Sequence, residues 1–296
     1  MTTTTIPMTS TVAPLLQQVK LKPNDYKSEV KVTWCPGCGD FGVLNATYKA
    51  LAEQGYDTKD VVVVSGIGCS SRFPFFVSTY GSHGVHGRAM PIATGIKLAR
   101  PELEVIVFGG DGDAFAIGAG HFVHACRRNV DMCYVIMDNA VYGLTKEQYA
   151  PTAHVGYVSK TTPEGSVEQS INPLTLAIAS GATYVARGFS SKPKDVTELI
   201  KRGLTHKGFA FIQIYSPCVT FYDTYDHYKE VTAPLPADHD PHDKLAAMRY
   251  AYDAEHLYLG EFYVEERPSM AENAKAVRSK AGTKFSLEAL MERFKS

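Results

Sequence analysis

Short, mostly apolar runs alternate along this chain with stretches in which apolar residues recur every three or four positions. The apolar runs are Val61 to Val64, Val105 to Phe108, Tyr134 to Met137, Thr183 to Ala186 and Phe209 to Tyr215. Their length and their turn-forming or charged borders predict strands buried on both faces. The periodic stretches predict helices. Asp40 is placed to cap one that runs through Val43, Leu44, Tyr48 and Leu51 to Gly55, and others span Ala89 to Ala99, Ala114 to Arg128 with Asn129 as its stop, Leu174 to Ser180, and Asp195 to Thr205. Such alternation predicts an α/β fold, a doubly wound and mainly parallel sheet. Phe73 to Gly87 and Leu144 to Gln169 read as loops, the second long enough to suggest a role in function. Residues 1–27, Thr-rich with Pro7, Pro14 and Pro23, read as an N-terminal arm, and 28–230 as the α/β domain. Residues 231–296, richer in Pro, His and charge, read as a tail. There Phe285, Leu287, Leu290, Met291 and Phe294 give a terminal helix one apolar face.

Composition narrows the function classes. The chain has 296 residues, 45% apolar and 21% charged, with 30 basic and 31 acidic side chains. That balance, and the lack of a basic block, disfavour a nucleic-acid partner. No apolar stretch approaches the ~18 residues of a membrane span. The first residues lack the features of a secretory signal, so the expected location is cytoplasmic.

Two strand ends carry the candidate chemistry. Gly109-Gly110-Asp111-Gly112-Asp113 follows the apolar run at 105, and Asp138-Asn139-Ala140-Val141-Tyr142-Gly143 follows the run at 134. In parallel sheets ligands bind outside the carboxyl ends of the strands, where Asp111 and Asn139 both fall. A carboxylate and an amide oxygen are hard ligands suited to Mg²⁺, and Gly110 and Gly112 let backbone N–H groups approach an anion at a helix start. An ordinary strand–helix–strand unit, with Asp111 as a cap and Asn139 in a turn, is the plain alternative.

Four of the six cysteines point to the same rim. Cys35 and Cys38 form a Cys-x-x-Cys turn, and Cys69 and Cys218 each follow a strand at its carboxyl end. Cys126 lies within a helix and Cys133 near the start of a strand, so both read as core residues. Four thiolates suit tetrahedral zinc or an iron–sulfur cluster. Trp34-Cys35-Pro36-Gly37-Cys38 also has the form of a redox dithiol turn, though that reading leaves Cys69 and Cys218 without a role.

Together these stretches resemble the β subunit of the 2-oxoacid:ferredoxin oxidoreductases. The resemblance rests on Trp34 to Asp40, Gly66 to Arg72, Gly84 to Arg88, Gly109 to Asp113, Met137 to Lys146 and Ser216 to Cys218, and covers roughly residues 28 to 230. It implies a thiamine diphosphate-binding domain, with Mg²⁺ held by Asp111, Asn139 and the Val141 carbonyl. It implies cofactor contacts from Gly110, Gly112, Asp113, His86 and Cys69, and one [4Fe–4S] cluster on Cys35, Cys38, Cys69 and Cys218. The implied reaction is oxidative decarboxylation of a 2-oxoacid, with the acyl group passed to coenzyme A and electrons to ferredoxin one at a time. The motifs look most like the 2-oxoglutarate branch, with pyruvate or broad-range enzymes as alternatives. A non-redox thiamine enzyme and a zinc-bound scaffold are further ones. Lys146 is a candidate for a substrate carboxylate. His86 and Arg88 are candidates for the diphosphate or coenzyme A, and Arg72 for the cluster or the substrate. His121 and His124 read as structural. The sequence has no room for the second half that thiamine enzymes need, so an α subunit is the implied partner, in an αβ or α2β2 assembly.

Overall fold

A computed structural model of the chain describes residues 18–253, 255–281 and 286–295. Most of the expected arm, and Phe285 of the expected terminal apolar face, lie outside these. The described end of the arm is packed down. Val19 N–H donates to Gly55 O at 2.8 Å, and a 3₁₀ turn at Pro23–Tyr26 buries Tyr26, whose hydroxyl bonds Leu51 O at 3.2 Å.

In chain order the elements begin with α1 (Asp40–Gln54), β1 (Val61–Ser65), α2 (Phe73–Phe76), β2 (Tyr80–His83), α3 (Ala89–Ala99) and β3 (Glu104–Gly110). Next come α4 (Asp111–Phe115), α5 (Ala119–Arg128), β4 (Met132–Asp138), β5 (Val141–Tyr142) and β6 (Gln148–Tyr149). They are followed by α6 (Pro173–Ser180), β7 (Tyr184–Phe189), α7 (Pro193–Thr205), β8 (Phe209–Tyr215) and α8 (Tyr225–Val231). The series closes with β9 (Thr232–Pro234), α9 (Lys244–Ala251), β10 (Leu257–Val264), α10 (Met270–Ala281) and α11 (Leu287–Arg293). Eight strands form one sheet in the order β2-β1-β3-β4-β8-β7-β10-β9. All neighbours are parallel except β10, which runs antiparallel to β7. Successive residues of the central strands feed opposite cores. Val105 and Val107 pack on the face with Phe122 of α5 and Ile178 of α6. Ile106 and Phe108 pack on the face with Leu51 of α1 and Ile200 of α7. Burial on both faces is why these strands read as unbroken apolar runs. Among the described residues no helix is long and apolar enough to cross a membrane.

Four expectations change. The helix expected over Ala114 to Arg128 is two, α4 and α5, broken between them. A Cβ on Gly118 would lie 2.5 Å from Asp113 O, and one on Gly87 only 2.6 Å from Gly118 N. The chain bends there to let the Gly87 turn come close. The loop expected over Phe73 to Gly87 contains α2 and the edge strand β2, whose mostly exposed Tyr-Gly-Ser-His sequence gives no apolar signal. The long loop after Leu144 begins with a small hairpin of β5 and β6. The segment expected as a tail supplies β9 and β10 to the main sheet, and Phe262 of β10 is fully buried. In α11, by contrast, Leu287 and Met291 stand exposed, as does Phe294 just beyond it.

Candidate functional site

Adjacent parallel strands β3 and β4 run in register, Gly110 opposite Met137. The residues that follow, Asp111 on one side and Asp138-Asn139 on the other, therefore emerge side by side on the carboxyl rim. Asp111 is 1% exposed. Thr152, carried in from the loop after β6, places Oγ1 2.6 Å from Asp111 Oδ2 and 2.8 Å from Asp138 Oδ1. A hydroxyl has one proton to give, so without a cation both contacts are hydrogen bonds only when one carboxyl keeps its own proton. Burial, and next the charge of Asp138, push the Asp111 carboxyl well above its ordinary range. Two carboxyls with a shared hydroxyl in a dry pocket are the kind of excess negative charge that a hard divalent cation relieves. The neighbouring donors are compatible. Ala140 adopts the left-handed region at φ 60°, which turns the chain so that Asn139 Oδ1 accepts from Val141 N–H at 3.1 Å. The Val141 carbonyl accepts one bond, from Gly143 N–H at 3.1 Å, and keeps a second lone pair.

A pocket opens in front of this group, lined by the loop from Ile67 to Ser70, by Gly110 to Asp113, by Asn139, and by Val141 to Thr145. Tyr142 covers Gly112. Its hydroxyl donates to Gly112 O at 2.8 Å, and a Cβ on Gly112 would lie 2.5 Å from its ring. Only a glycine fits that contact. Asp113 clasps two loops together. Its Oδ1 accepts from Gly87 N–H at 2.7 Å and Ile67 N–H at 3.2 Å, with His86 Nδ1 at 3.2 Å, while its buried Oδ2 has no partner among the described residues. Burial raises this carboxyl as well. Arg88 Nη1 reaches the His86 and Gly87 carbonyls at 3.4 Å, so it braces its own turn. Lys146 stands exposed on the turn between β5 and β6, with a left-handed φ of 72°.

The four rim cysteines are stitched together by backbone and polar contacts. Cys38 N–H donates to Cys35 O at 3.0 Å, and Gly39 N–H to Pro217 O at 3.1 Å. Ser216 Oγ donates to the buried Asp40 at 2.6 Å, and Trp34 Nε1 to Cys69 O at 2.7 Å. A Cβ on Gly143 would sit 3.4 Å from Cys218 Sγ and 3.8 Å from Cys69 Sγ, so both sulfurs surround one point beside the pocket. Burial, then the Asp40 charge, push the Cys69 thiol up to about 12, and Cys218 and Cys35 add to the effect while Arg72 opposes it. Cys38 shifts the same way for the same leading reasons, with Cys218 and Cys69 contributing. Crowded, partly desolvated thiols of this kind are stable as thiolates only with a metal to hold them. Among the described residues no three His, Cys, Asp or Glu side chains already stand in a metal-holding arrangement. Cys126 and Cys133 lie buried in the two opposite cores.

Sequence reasoning missed Thr152, Asp138 and Ser216, and it read Asp40 as a helix cap, whereas Gly39 takes the cap position and Asp40 begins the helix, accepting instead from Ser216. Asp138 stands next to Asn139 and was open to notice. The Thr152 contact depends on the return path of a loop and has no local signature.

Known proteins match this chain over most of its length. Residues 66–214 match the family model described as the C-terminal TPP-binding domain of thiamine pyrophosphate enzymes, and 218–279 the C-terminal model of the pyruvate ferredoxin oxidoreductase beta subunit. A 2-oxoacid:ferredoxin oxidoreductase subunit beta from Sulfolobus sp is 48% identical over 260 residues, 82% of this chain and 85% of the relative. The 2-oxoglutarate oxidoreductase subunit KorB of Mycobacterium tuberculosis is 46% identical over 202 residues, 68% of this chain and 54% of the relative. A solved structure of 2-oxoglutarate:ferredoxin oxidoreductase from Magnetococcus marinus, with 2-oxoglutarate, coenzyme A and succinyl-CoA bound, superposes with a TM-score of 0.91 at 46% identity. That match covers 96% of this chain and all of the other. By sequence and by fold, the chain belongs to the beta subunits of the 2-oxoacid:ferredoxin oxidoreductases.

Proposed function

We propose that this subunit holds thiamine diphosphate, Mg²⁺ and one [4Fe–4S] cluster for a coenzyme A-dependent oxidoreductase whose substrate is 2-oxoglutarate. The observation that carries the reading is one pocket lined by Asp111, Asn139, Val141 and Cys69, with Cys218 Sγ beside it at Gly143 and the Cys35–Cys38 turn tied to the Cys218 segment through Gly39 N–H and Pro217 O. When bound, the thiazolium supplies the electron sink for decarboxylation and the cluster accepts electrons singly. The chain's own residues do the rest. Asp111, Asn139 and Val141 are the ligands for the cation, and the N–H groups at Gly110 to Asp113 receive the diphosphate. Asp113 fixes His86 beside the pocket, and Tyr142 seals Gly112 against water. Lys146 is placed to meet a substrate carboxylate from the rim, and Arg72 adds positive potential beside Cys69.

The α/β domain extends over 28–230, with 1–27 as an arm and 231–296 as a C-terminal segment that closes the sheet. An α subunit completes the active site in a cytoplasmic αβ or α2β2 complex, and ferredoxin removes the electrons. The substrate preference follows the relatives named for 2-oxoglutarate and the bound molecules of the Magnetococcus marinus structure.

The test is the co-expressed αβ complex, assayed with 2-oxoglutarate, pyruvate and longer 2-oxoacids, coenzyme A and a viologen acceptor. Fastest reduction with 2-oxoglutarate, four irons per pair and no turnover by this chain alone are expected. Zinc without iron would sink the cluster, and faster turnover of pyruvate would reassign the substrate.

A further inference from the structure

Arg187, in β7, is 3% exposed and points toward β8 and β10. Its Nε donates to Gln213 Oε1 at 3.0 Å. The guanidinium lies between the Tyr215 and Phe262 rings, 5.4 and 5.3 Å from their centroids. Among the described residues its two Nη groups have no hydrogen-bond partner, yet neither is sealed away from open space. The Asp138 carboxylate lies beyond the neutral Gln213 amide, which bonds both. It is already taken by Gln213 Nε2 at 2.6 Å, Ala140 N–H at 3.2 Å and Thr152. Nη donors that open into such space are free to meet whatever occupies it.

Arg187 lines a cavity behind Asp138 and Thr152 that shares no lining residue with the diphosphate pocket, and it also borders a second one with Lys192, Asp195, Glu198 and Glu261. Thr224, Asn172, His227 and Tyr228 also line the first of these. The Thr224 hydroxyl is buried and has no partner among the described residues. Asn172 caps α6 by accepting from Thr175 N–H at 3.2 Å, so the first turn of that helix opens here too. Besides Asp138, the one acid on the wall among the described residues is Asp253, whose Oδ1 accepts from the Glu255 and His256 N–H groups at 2.9 and 2.8 Å.

We propose that this cavity is a second ligand site, for a small oxyanion of the carboxylate or phosphate class, held by the Arg187 Nη fork and the Thr224 hydroxyl. The planar fork matches a pair of oxygens on one centre, and a desolvated cavity strengthens the attraction. The proposal stands whether or not the thiamine reading does, because it uses none of the residues assigned to that cofactor.

The test uses the αβ complex saturated with Mg²⁺ and thiamine diphosphate, so that the first anion site is filled. Failure to load that cofactor counts against the functional reading alone. Inorganic phosphate and succinate are titrated in separate calorimetric arms into wild type, Arg187→Met, Arg187→Lys and Thr224→Val. One saturable site per αβ pair is expected, weakened about tenfold or more by Arg187→Met, and less by Thr224→Val and by Arg187→Lys, which keeps the charge but loses the fork. The tighter arm identifies phosphate or carboxylate as the source. Absence of saturable binding of either anion up to about 10 mM, or binding unchanged in the variants, overturns the proposal. Should Arg187→Met fail to fold, Thr224→Val and a selenate soak of wild-type crystals decide. An anomalous peak on the Nη groups supports the site, and an acidic side chain of the α subunit there overturns it.

Discussion

Thr152 is the side chain on which the two rim carboxyls depend. Removing its hydroxyl leaves Asp111 and Asp138 facing each other with nothing between. Thr152→Val keeps the shape and should weaken Mg²⁺ binding in the presence of thiamine diphosphate by about 10–100-fold, measured as metal-dependent thermal stabilisation. His206 illustrates a pH effect remote from the site. Its Nε2 lies 2.7 Å from Thr183 Oγ1, and burial holds its pKa below the ordinary 6.5 despite nearby acids. The unfolded chain takes up a proton there that the fold refuses. Stability is therefore full above about pH 6.5 and falls as pH drops toward the folded value. His206→Gln should flatten that fall in a melting-temperature series from about pH 7.5 to pH 5.

At the scale of elements, what could be read in advance depends on burial. β1, β3, β4 and β8 are covered on both faces, so their middles are nearly all apolar, Gln213 of β8 aside, and announce themselves. β2 lies at one sheet edge and exposes most of its side chains, which removes the signal. β10 mixes Gly260 and Glu261 into its run and bulges between Glu261 and Tyr263, so no clean alternation survives. It is nonetheless structural, because Phe262 fills the core beside β7. Phe262→Ala should cost about 3–5 kcal/mol in chemical denaturation, a loss that a mere tail would not produce. The site divides in the same way. Asp111 and Asn139 sit in short local motifs at strand ends, so their chemistry was legible. The partners of Asp111 and Asp113 across the rim, Thr152 and Gly87, come from separate loops, and only the folded chain brings them in.

For the molecule as a whole, the carboxyl rim sets Asp111, Asn139 and Val141 along one pocket and brings the Cys69 and Cys218 sulfurs together beside Gly143. Cys218→Ser should abolish visible iron–sulfur absorption in the αβ complex while leaving Mg²⁺–thiamine diphosphate binding within about threefold, since Cys218 does not line the diphosphate pocket. The reverse pattern should hold for Asp111→Asn, with cofactor binding lost and the visible band kept. Trp34 gives a way to watch this rim directly. It is the sole tryptophan of the chain, packed edge-on against Phe41 and Phe76, with its indole N–H on the Cys69 carbonyl. The emission of this subunit is therefore a native optical gauge, needing no label, of whether the sulfur-bearing segments are assembled.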